Sequence, residues 1–346
     1  MIEKTGVLIV NLGTPKSPSE QDVKSYLKEF LMDKYVIDIP YINRLLLVKG
    51  VILNTRPKHS AKAYKKIWMS EGSPLMVHSM NLFEKLQFRI NQPIALAMRY
   101  GEPSMKKGLE QLLKQNCTHI KVLPLYPQYA MSTVTTIIDK VKTELLKLNP
   151  VITYEAILPF YNHKGYLKLL AKKIRDKLNK SNADYIVFSY HGIPVRHLYK
   201  TTPTESHKSQ NDTCCEAGSI NSQKCYYHQC LETTKGVANY LNLSINDYEV
   251  SFQSRLGQSK WLEPSTANRL ANLPKEGKKN ILVVTPSFVS DCLETIEEIG
   301  IEGKSTFIKN GGETFFRVDC LNDDDEWVDV IVNLITEAKP IYIKRF

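Results

Sequence analysis

The chain has 346 residues, 42% of them hydrophobic and 9% aromatic, which suffices for one large α/β unit or two domains of ordinary size. No stretch approaches the roughly 20 unbroken apolar residues of a membrane span, and Met1-Ile2-Glu3-Lys4-Thr5 has neither the basic start nor the cleavage site of a signal peptide, so the expected location is the cytoplasm. The net charge of +10 (pI 9.0) is spread along the chain without a block of interleaved aromatics and Arg/Lys, which disfavours nucleic acid and suits carboxylates or anionic lipid.

Short apolar, β-branched runs alternate with amphipathic helical patterns from end to end. Strands are predicted at Thr5 to Asn11, Ile94 to Met98, Ile120 to Leu125 and Val151 to Leu158, with helices over Ser104 to Gln115 and Thr133 to Leu148. A helix at Tyr166 to Leu178 leads into a second set of strands at Tyr185 to Tyr190, Tyr248 to Ser254, Asn280 to Thr285 and Thr314 to Asp319. A last helix covers Asp325 to Thr336. Buried strands separated by helices signal βαβ units and parallel sheets.

The two halves match in detail. The first strand breaks into Leu12-Gly13-Thr14-Pro15 and the fifth into His191-Gly192-Ile193-Pro194. Pro127-Gln128-Tyr129 through Thr136-Ile137 runs parallel to Pro286-Ser287-Phe288 through Thr295-Ile296, with Ser132 and Asp291 at helix-cap positions. These matches predict two similar α/β domains, one over 1–158 and one over 159–324, with a C-terminal helix and tail over 325–346 that could pack on either. Ligands of open parallel sheets bind beyond the carboxyl ends of the strands, where all four corners lie.

One half is polar where the other is not: Leu12 corresponds to His191, and Thr135 to Glu294. Histidine exchanges protons near neutral pH and ligates ferrous iron. Glu294 and Glu298, four apart, share a helix face, with Glu297 between them as a third carboxylate. The bland alternatives are a structural histidine at a strand end, and a Glu294 that only completes a capping box with Asp291. Phosphate-binding glycine loops and a G-x-S-x-G nucleophile motif are both absent, which disfavours nucleotide-dependent dehydrogenases, kinases and serine hydrolases.

At these residues the sequence resembles the ferrochelatase family. The resemblance is carried by Phe188-Ser189-Tyr190-His191-Gly192-Ile193-Pro194 and by Ser290-Asp291-Cys292-Leu293-Glu294-Thr295-Ile296-Glu297-Glu298. Asn11-Leu12-Gly13-Thr14-Pro15, Gly72-Ser73-Pro74-Leu75, Met98-Arg99-Tyr100-Gly101, Leu125-Tyr126-Pro127-Gln128-Tyr129, Gln253-Ser254-Arg255-Leu256-Gly257 and Trp261-Leu262-Glu263-Pro264 follow in family order. It implies two Rossmann-like domains, each with a four-stranded parallel sheet flanked by helices, facing across a porphyrin cleft. It implies insertion of Fe2+ into protoporphyrin IX at His191 and Glu294, with Glu298 extending a polar path. Asn11, Leu12, Lys28, Arg99, Tyr129 and Trp261 would bind the ring. An apolar residue at Leu12 favours protoporphyrin, since members acting on coproporphyrin tend to carry tyrosine there. A coproporphyrin enzyme, a cobalt or nickel chelatase, and a tetrapyrrole- or metal-binding protein without chemistry are the alternatives.

Departures from the family pattern stand at Lys28, where arginine is more usual, and at Tyr35, where a basic residue is common; a lysine cannot pair bidentately with a propionate. The run Ile37 to Ile52 reads either as a buried helix or, by the resemblance, as an apolar lip touching a membrane surface. Seven cysteines in a cytoplasmic chain are free thiols or metal ligands sooner than disulfides. Cys214, Cys215, Cys225 and Cys230 fall within 17 residues, at spacings unlike the usual paired C-x-x-C zinc pattern. Some ferrochelatases carry a [2Fe–2S] cluster on an internal segment of similar placement, and the choice between such a cluster and free thiols stays open, as does the oligomeric state.

Overall fold

The computed structural model of the protein describes residues 3–201, 222–257 and 259–337. All eight expected strands form. β1 (Thr5–Gly13), β2 (Ile94–Tyr100), β3 (His119–Pro124) and β4 (Thr153–Ala156) make one sheet in the order β2-β1-β3-β4. β5 (Tyr185–His191), β6 (Tyr248–Gln253), β7 (Asn280–Val284) and β8 (Thr314–Arg317) make a second in the order β6-β5-β7-β8. Every pair in both sheets is parallel. Val7–Val10 of β1, Ile94–Met98 of β2 and Ile281–Val284 of β7 are continuous buried apolar runs, as expected of strands covered on both faces.

Two compact units result. One is made of the described parts of Met1–Tyr126, Met131–Pro159 and Asn322–Phe346, the other of those of Pro127–Ala130 and Phe160–Leu321. In the first, Leu8, Val10, Ile120 and Val122 of the sheet pack with Leu109, Leu112, Ile137 and Val141 of two helices, all fully buried. Truncating any of these leucines or isoleucines to alanine would cost about 2–5 kcal/mol. In the second, Val187, Ile281, Val283 and Phe315 pack with Leu270, Ile299 and Phe307. The C-terminal helix Asp325–Glu337 belongs to the first unit, where Lys85 meets Asp325 at 3.1 Å and Arg89 meets Asp329 at 2.6 Å.

The units repeat one another beyond the sequence matches. The amide of Met98 in β2 donates to Pro103 O at 2.7 Å, and that of Phe252 in β6 to Pro264 O at 2.8 Å. Each proline lies in a Glu-Pro-Ser turn whose serine precedes a helix. Gly13 and Gly192 close the first and fifth strands against the neighbouring strand. A Cβ on Gly13, whose φ is +105°, would lie 1.8 Å from Tyr100 O, and one on Gly192 would lie 2.7 Å from Gln253 O. Only glycine allows both approaches.

Three helical segments depart from the expected winding. Met131–Thr135, Leu46–Ile52 and Leu293–Gly303 are π-helical, with i→i+5 hydrogen bonds that a 3.6-residue period cannot reveal. Two of them occupy matching places, each following a Pro-x-aromatic corner. The helix N-cap is Cys292, one residue later than the expected Asp291, and its partner in the capping box is Thr295 rather than Glu294. Asp291 is free of that duty. Its carboxylate accepts from Thr295 Oγ1 at 2.8 Å, from the Cys320 amide at 3.2 Å, and from Arg317.

The run Ile37 to Ile52 is no buried helix. It forms a short α-helix, Tyr41–Leu45, continued by the π-helical Leu46–Ile52. Tyr41, Ile42, Leu46 and Val51 are 61%, 68%, 65% and 59% exposed, while Arg44 turns inward to the carbonyls of Ile37 and Ile39.

Candidate functional site

His191 ends β5 at a corner where every polar group of its peptide is engaged. Its amide donates to Ser287 Oγ at 3.3 Å, and its carbonyl accepts from Tyr226 Oη at 2.7 Å. The two hydroxyls are 2.8 Å apart. Because a carbonyl only accepts, Tyr226 must give its proton to His191 and take one from Ser287, so the loop has a single direction. Tyr226 opens the helix Tyr226–Leu241 and is buried, which pushes its phenol well above its ordinary value.

The imidazole has a fixed tautomer for the same reason. Nδ1 lies 2.7 Å from the carbonyl of Gly192, so Nδ1 carries the proton and the neutral ring keeps its lone pair on Nε2. Phe288 meets the ring edge-on, centroids 6.1 Å apart. Trp261 lies beside the corner: a Cβ on Gly192 would be 3.4 Å from its Cε3, and its indole N–H donates to Leu256 O at 3.1 Å.

The carboxylates come from the π-helix Leu293–Gly303. Glu298 accepts from the Ser254 amide at 2.9 Å, from the Ser254 hydroxyl at 2.5 Å and from Gln253 Nε2 at 3.3 Å. Gln253 Nε2 also donates to the main-chain oxygen of Glu294 at 3.1 Å. Burial raises the Glu298 carboxyl above its ordinary value, opposed by the Ser254 hydroxyl and by the charge His191 can carry, and reinforced by Glu294. Such a group exchanges protons at higher pH than a surface carboxylate. Glu297, expected beside them, is 5% exposed and lies among the buried residues, because each π-helical turn holds more than four residues and moves the intervening side chain off the shared face. Among the described residues no group of three or more His, Cys, Asp and Glu is arranged to hold a metal ion.

The remaining expected residues fall in both units. In the first, Asn11 is buried, donating to Ser79 Oγ at 3.0 Å and accepting from the Leu12 amide at 2.8 Å, while Leu12 is half-buried and Lys28 exposed. Arg99 is committed internally. Its Nε donates to Thr136 Oγ1 at 2.7 Å and its Nη2 pairs with Asp33, which also takes the Tyr100 hydroxyl at 2.8 Å. In the second unit Tyr129 donates its amide to Gln229 Oε1 at 2.7 Å. Gln253, Ser254, Ser287 and Tyr226 were not singled out as site residues by sequence. The first two lie in a motif that marks the family, while nothing local marks Tyr226 or Ser287.

Of the cysteines, Cys214 and Cys215 lie outside the described residues. Cys225 caps the helix Tyr226–Leu241, its sulfur accepting from the His228 amide at 3.4 Å, and Cys230 sits one turn on. Both are fully buried, and burial, with Cys225 adding to it, holds the Cys230 thiol well above its ordinary range.

A family model described as Ferrochelatase matches residues 4–339. Curated relatives named ferrochelatase include that of Pseudomonas entomophila (strain L48), 44% identical over 96% of this chain and 98% of its own, and that of Stutzerimonas stutzeri (strain A1501), 43% identical over 96% and 97%. Among solved structures, SirB from Bacillus subtilis with Fe3+ superposes with a TM-score of 0.53 at 14% identity over 96% of this chain and 95% of that one. The cobalt complex of the sirohydrochlorin chelatase SirB from Bacillus subtilis subspecies spizizenii has the same TM-score at 13% identity, over 96% of this chain and 94% of that one. At that identity the likeness concerns the fold alone.

Proposed function

The chain belongs to the ferrochelatase family, lyases that insert iron into a porphyrin, and we propose that it carries out this reaction on protoporphyrin IX, with His191 and Glu294 at the insertion site. Two pyrrole N–H protons leave as Fe2+ enters to give protohaem, so a base must stand beside the ring. The observation that carries the reading is the Nδ1 contact to Gly192 O at 2.7 Å, which leaves Nε2 as the basic atom of a rigidly held imidazole. His191 accepts the two ring protons one after the other and passes each on, while Glu294 pairs with the transient imidazolium and ligates incoming iron through oxygen. Glu298, with its raised affinity for protons, continues the path outward. Trp261, beside the His191 corner, would supply a wall that favours a bent ring, in which the nitrogen lone pairs are accessible.

The test is an anaerobic metallation assay of His191→Ala with Fe2+ and protoporphyrin IX. Activity is expected to fall on the order of 10²- to 10⁴-fold with porphyrin binding retained; undiminished activity would sink the assignment. Protoporphyrin, with two propionates, suits a chain whose Lys28 is exposed and whose Arg99 is engaged by Asp33. Coproporphyrin carries four. A side-by-side comparison of kcat/KM for the two porphyrins decides the substrate, and Leu12→Tyr is expected to move the ratio towards coproporphyrin.

Two further parts belong to this reading. The exposed apolar side chains Tyr41, Ile42, Leu46 and Val51, with Lys49 among them and Lys34 and Arg56 on either side in the sequence, support peripheral contact with the inner face of an anionic membrane. Flotation with anionic vesicles, compared with Ile42→Ser/Leu46→Ser, tests it. Cys214, Cys215, Cys225 and Cys230 would hold a [2Fe–2S] cluster. Of the two described, Cys225 is the N-cap of the helix Tyr226–Leu241 and Cys230 lies within its first turns, both buried, so ligation there would have to overcome the burial that favours the Cys230 thiol. Matched iron and acid-labile sulfide in protein purified without oxygen are expected; their absence would leave the four as free thiols.

A further inference from the structure

Gln253 touches both halves of the proposed site, though it faces neither as an acid, base or ligand. Its main-chain oxygen accepts the amide of Gly192, next to His191, at 2.7 Å. Its side-chain nitrogen donates to the main-chain oxygen of Glu294 at 3.1 Å and to the Glu298 carboxylate at 3.3 Å. One residue thus bonds to the histidine corner through its backbone and to two turns of the carboxylate helix through its amide.

The orientation of that amide is not a free choice. Behind it lies a row of hydroxyls, Ser189, Thr266 and Ser251, all essentially inaccessible to solvent. Ser189 Oγ donates to Gln253 Oε1 at 2.9 Å; Ser189 and Thr266 are 2.8 Å apart, and Thr266 and Ser251 2.9 Å. With the Ser189 proton spent on Gln253, Thr266 must donate to Ser189 and Ser251 to Thr266. The two acceptors ahead of it, the Glu294 carbonyl and the Glu298 carboxylate, call for Nε2 and leave Oε1 to the row, which runs one way and ends on it. A flipped amide would set an acceptor against a carboxylate and a carbonyl, and would force the whole buried row to reverse.

The next residue strengthens the grip. Ser254 adopts φ +60°, a left-handed conformation rare for a non-glycine residue, and through it delivers both its amide and its hydroxyl to the same carboxylate. Strain of this kind is retained where the surroundings fix it. A chain of buried hydroxyls inside an apolar sheet is likewise costly unless fully satisfied.

We propose that Gln253 is a positioning residue for metal insertion, its amide anchored from behind by the Ser251–Thr266–Ser189 row and holding Glu298 and the Glu294 turn in register with His191. The inference rests on the roles given above to these three residues. It predicts an effect on metal handling rather than on the ring, because the Gln253 side chain is 3% exposed and reaches the site only through the π-helix.

The experiment is steady-state metallation with Fe2+ under anaerobic conditions, alongside porphyrin affinity from fluorescence quenching, for Gln253→Met, Gln253→Glu, Ser189→Ala and Glu298→Ala. Gln253→Met and Gln253→Glu are expected to raise KM for Fe2+ or lower kcat on the order of ten- to hundredfold, with porphyrin affinity within about twofold. Ser189→Ala, which leaves Gln253 Oε1 without its buried donor and loosens the amide, should act in the same direction to a smaller extent and add nothing on top of Gln253→Met. Should the Gln253 variants fail to fold, Ser189→Ala and Ser254→Ala carry the test alone. If Glu298→Ala impairs metallation while the Gln253 and Ser189 variants do not, the positioning role is overturned and the catalytic reading survives. If Glu298→Ala is itself without effect, the reading of Glu298 fails and takes this inference with it.

Discussion

Tyr226 holds His191 by its backbone: the phenol donates to the His191 carbonyl at 2.7 Å and, through Ser287, closes a loop on the His191 amide. The imidazole therefore projects from a peptide that cannot rotate without breaking a buried hydrogen bond. A flexible strand end has become a fixed mount.

Tyr226→Phe removes this hydroxyl and keeps the ring. The orphaned carbonyl and Ser287 hydroxyl should cost about 1–3 kcal/mol of stability. Insertion should slow by about tenfold through loss of alignment. Chemical denaturation and anaerobic turnover of the same sample check both; unchanged turnover in a destabilised protein would reduce Tyr226 to a packing residue.

The raised Glu298 carboxyl has a definite signature in stability. A group that binds its proton more tightly when folded contributes stability that is fully present below its unfolded pKa and is lost as pH rises through the folded one. Relative to Glu298→Gln, which does not titrate, the wild type should therefore lose stability as pH climbs from the ordinary carboxylate range to just above the raised value. Urea midpoints of the two proteins across that range measure the difference, and parallel curves would contradict it.

Arg99→Met leaves Asp33 buried without its cation, since the Asp33 side chain is 4% exposed and the Arg99 side chain 13%. Breaking such a pair costs about 3–5 kcal/mol. Porphyrin affinity of the folded fraction should hardly change, because this guanidinium is spent on Asp33 and Thr136. Weakened porphyrin binding with little loss of stability would instead mark Arg99 as a propionate partner.

Gly192→Ala forces a methyl group to within 2.7 Å of Gln253 O and must push the His191 corner away from β6. A loss of about 1–3 kcal/mol is expected from the displaced backbone. Turnover should fall further than that loss of folded protein explains, by about tenfold or more. Equal losses of folded protein and of turnover would show that the corner tolerates the shift.

The fold was legible because its strands are unbroken β-branched runs. Val7 to Val10, Tyr185 to Tyr190 and Asn280 to Val284 can satisfy neither a helix period nor an exposed sheet face. The candidate site stands out in the sequence as a contrast between copies, His191 against Leu12 and Glu294 against Thr135. What escaped was everything that depends on geometry without period. The π-helical winding moves Glu297 off the Glu294 and Glu298 face, and the left-handed Ser254 serves Glu298 although serine rarely signals such a turn. Tyr226 meets His191 from 35 residues away in the chain, a distance no local pattern spans.

The shared corner of the two units has a practical meaning. Gly13 presses on Tyr100 O as Gly192 presses on Gln253 O, and a π-helical turn follows the matching strand in each. At the spacing that sets Thr135 against Glu294, Asp139 falls against Glu298, where it meets Lys34 at 3.3 Å. An engineer wishing to transplant the proposed acid–base set would find the matching backbone in the first unit, with Leu12, Thr135 and Asp139 as the residues to exchange. The difference between the armed copy and the unarmed one is written in side chains carried on a common plan.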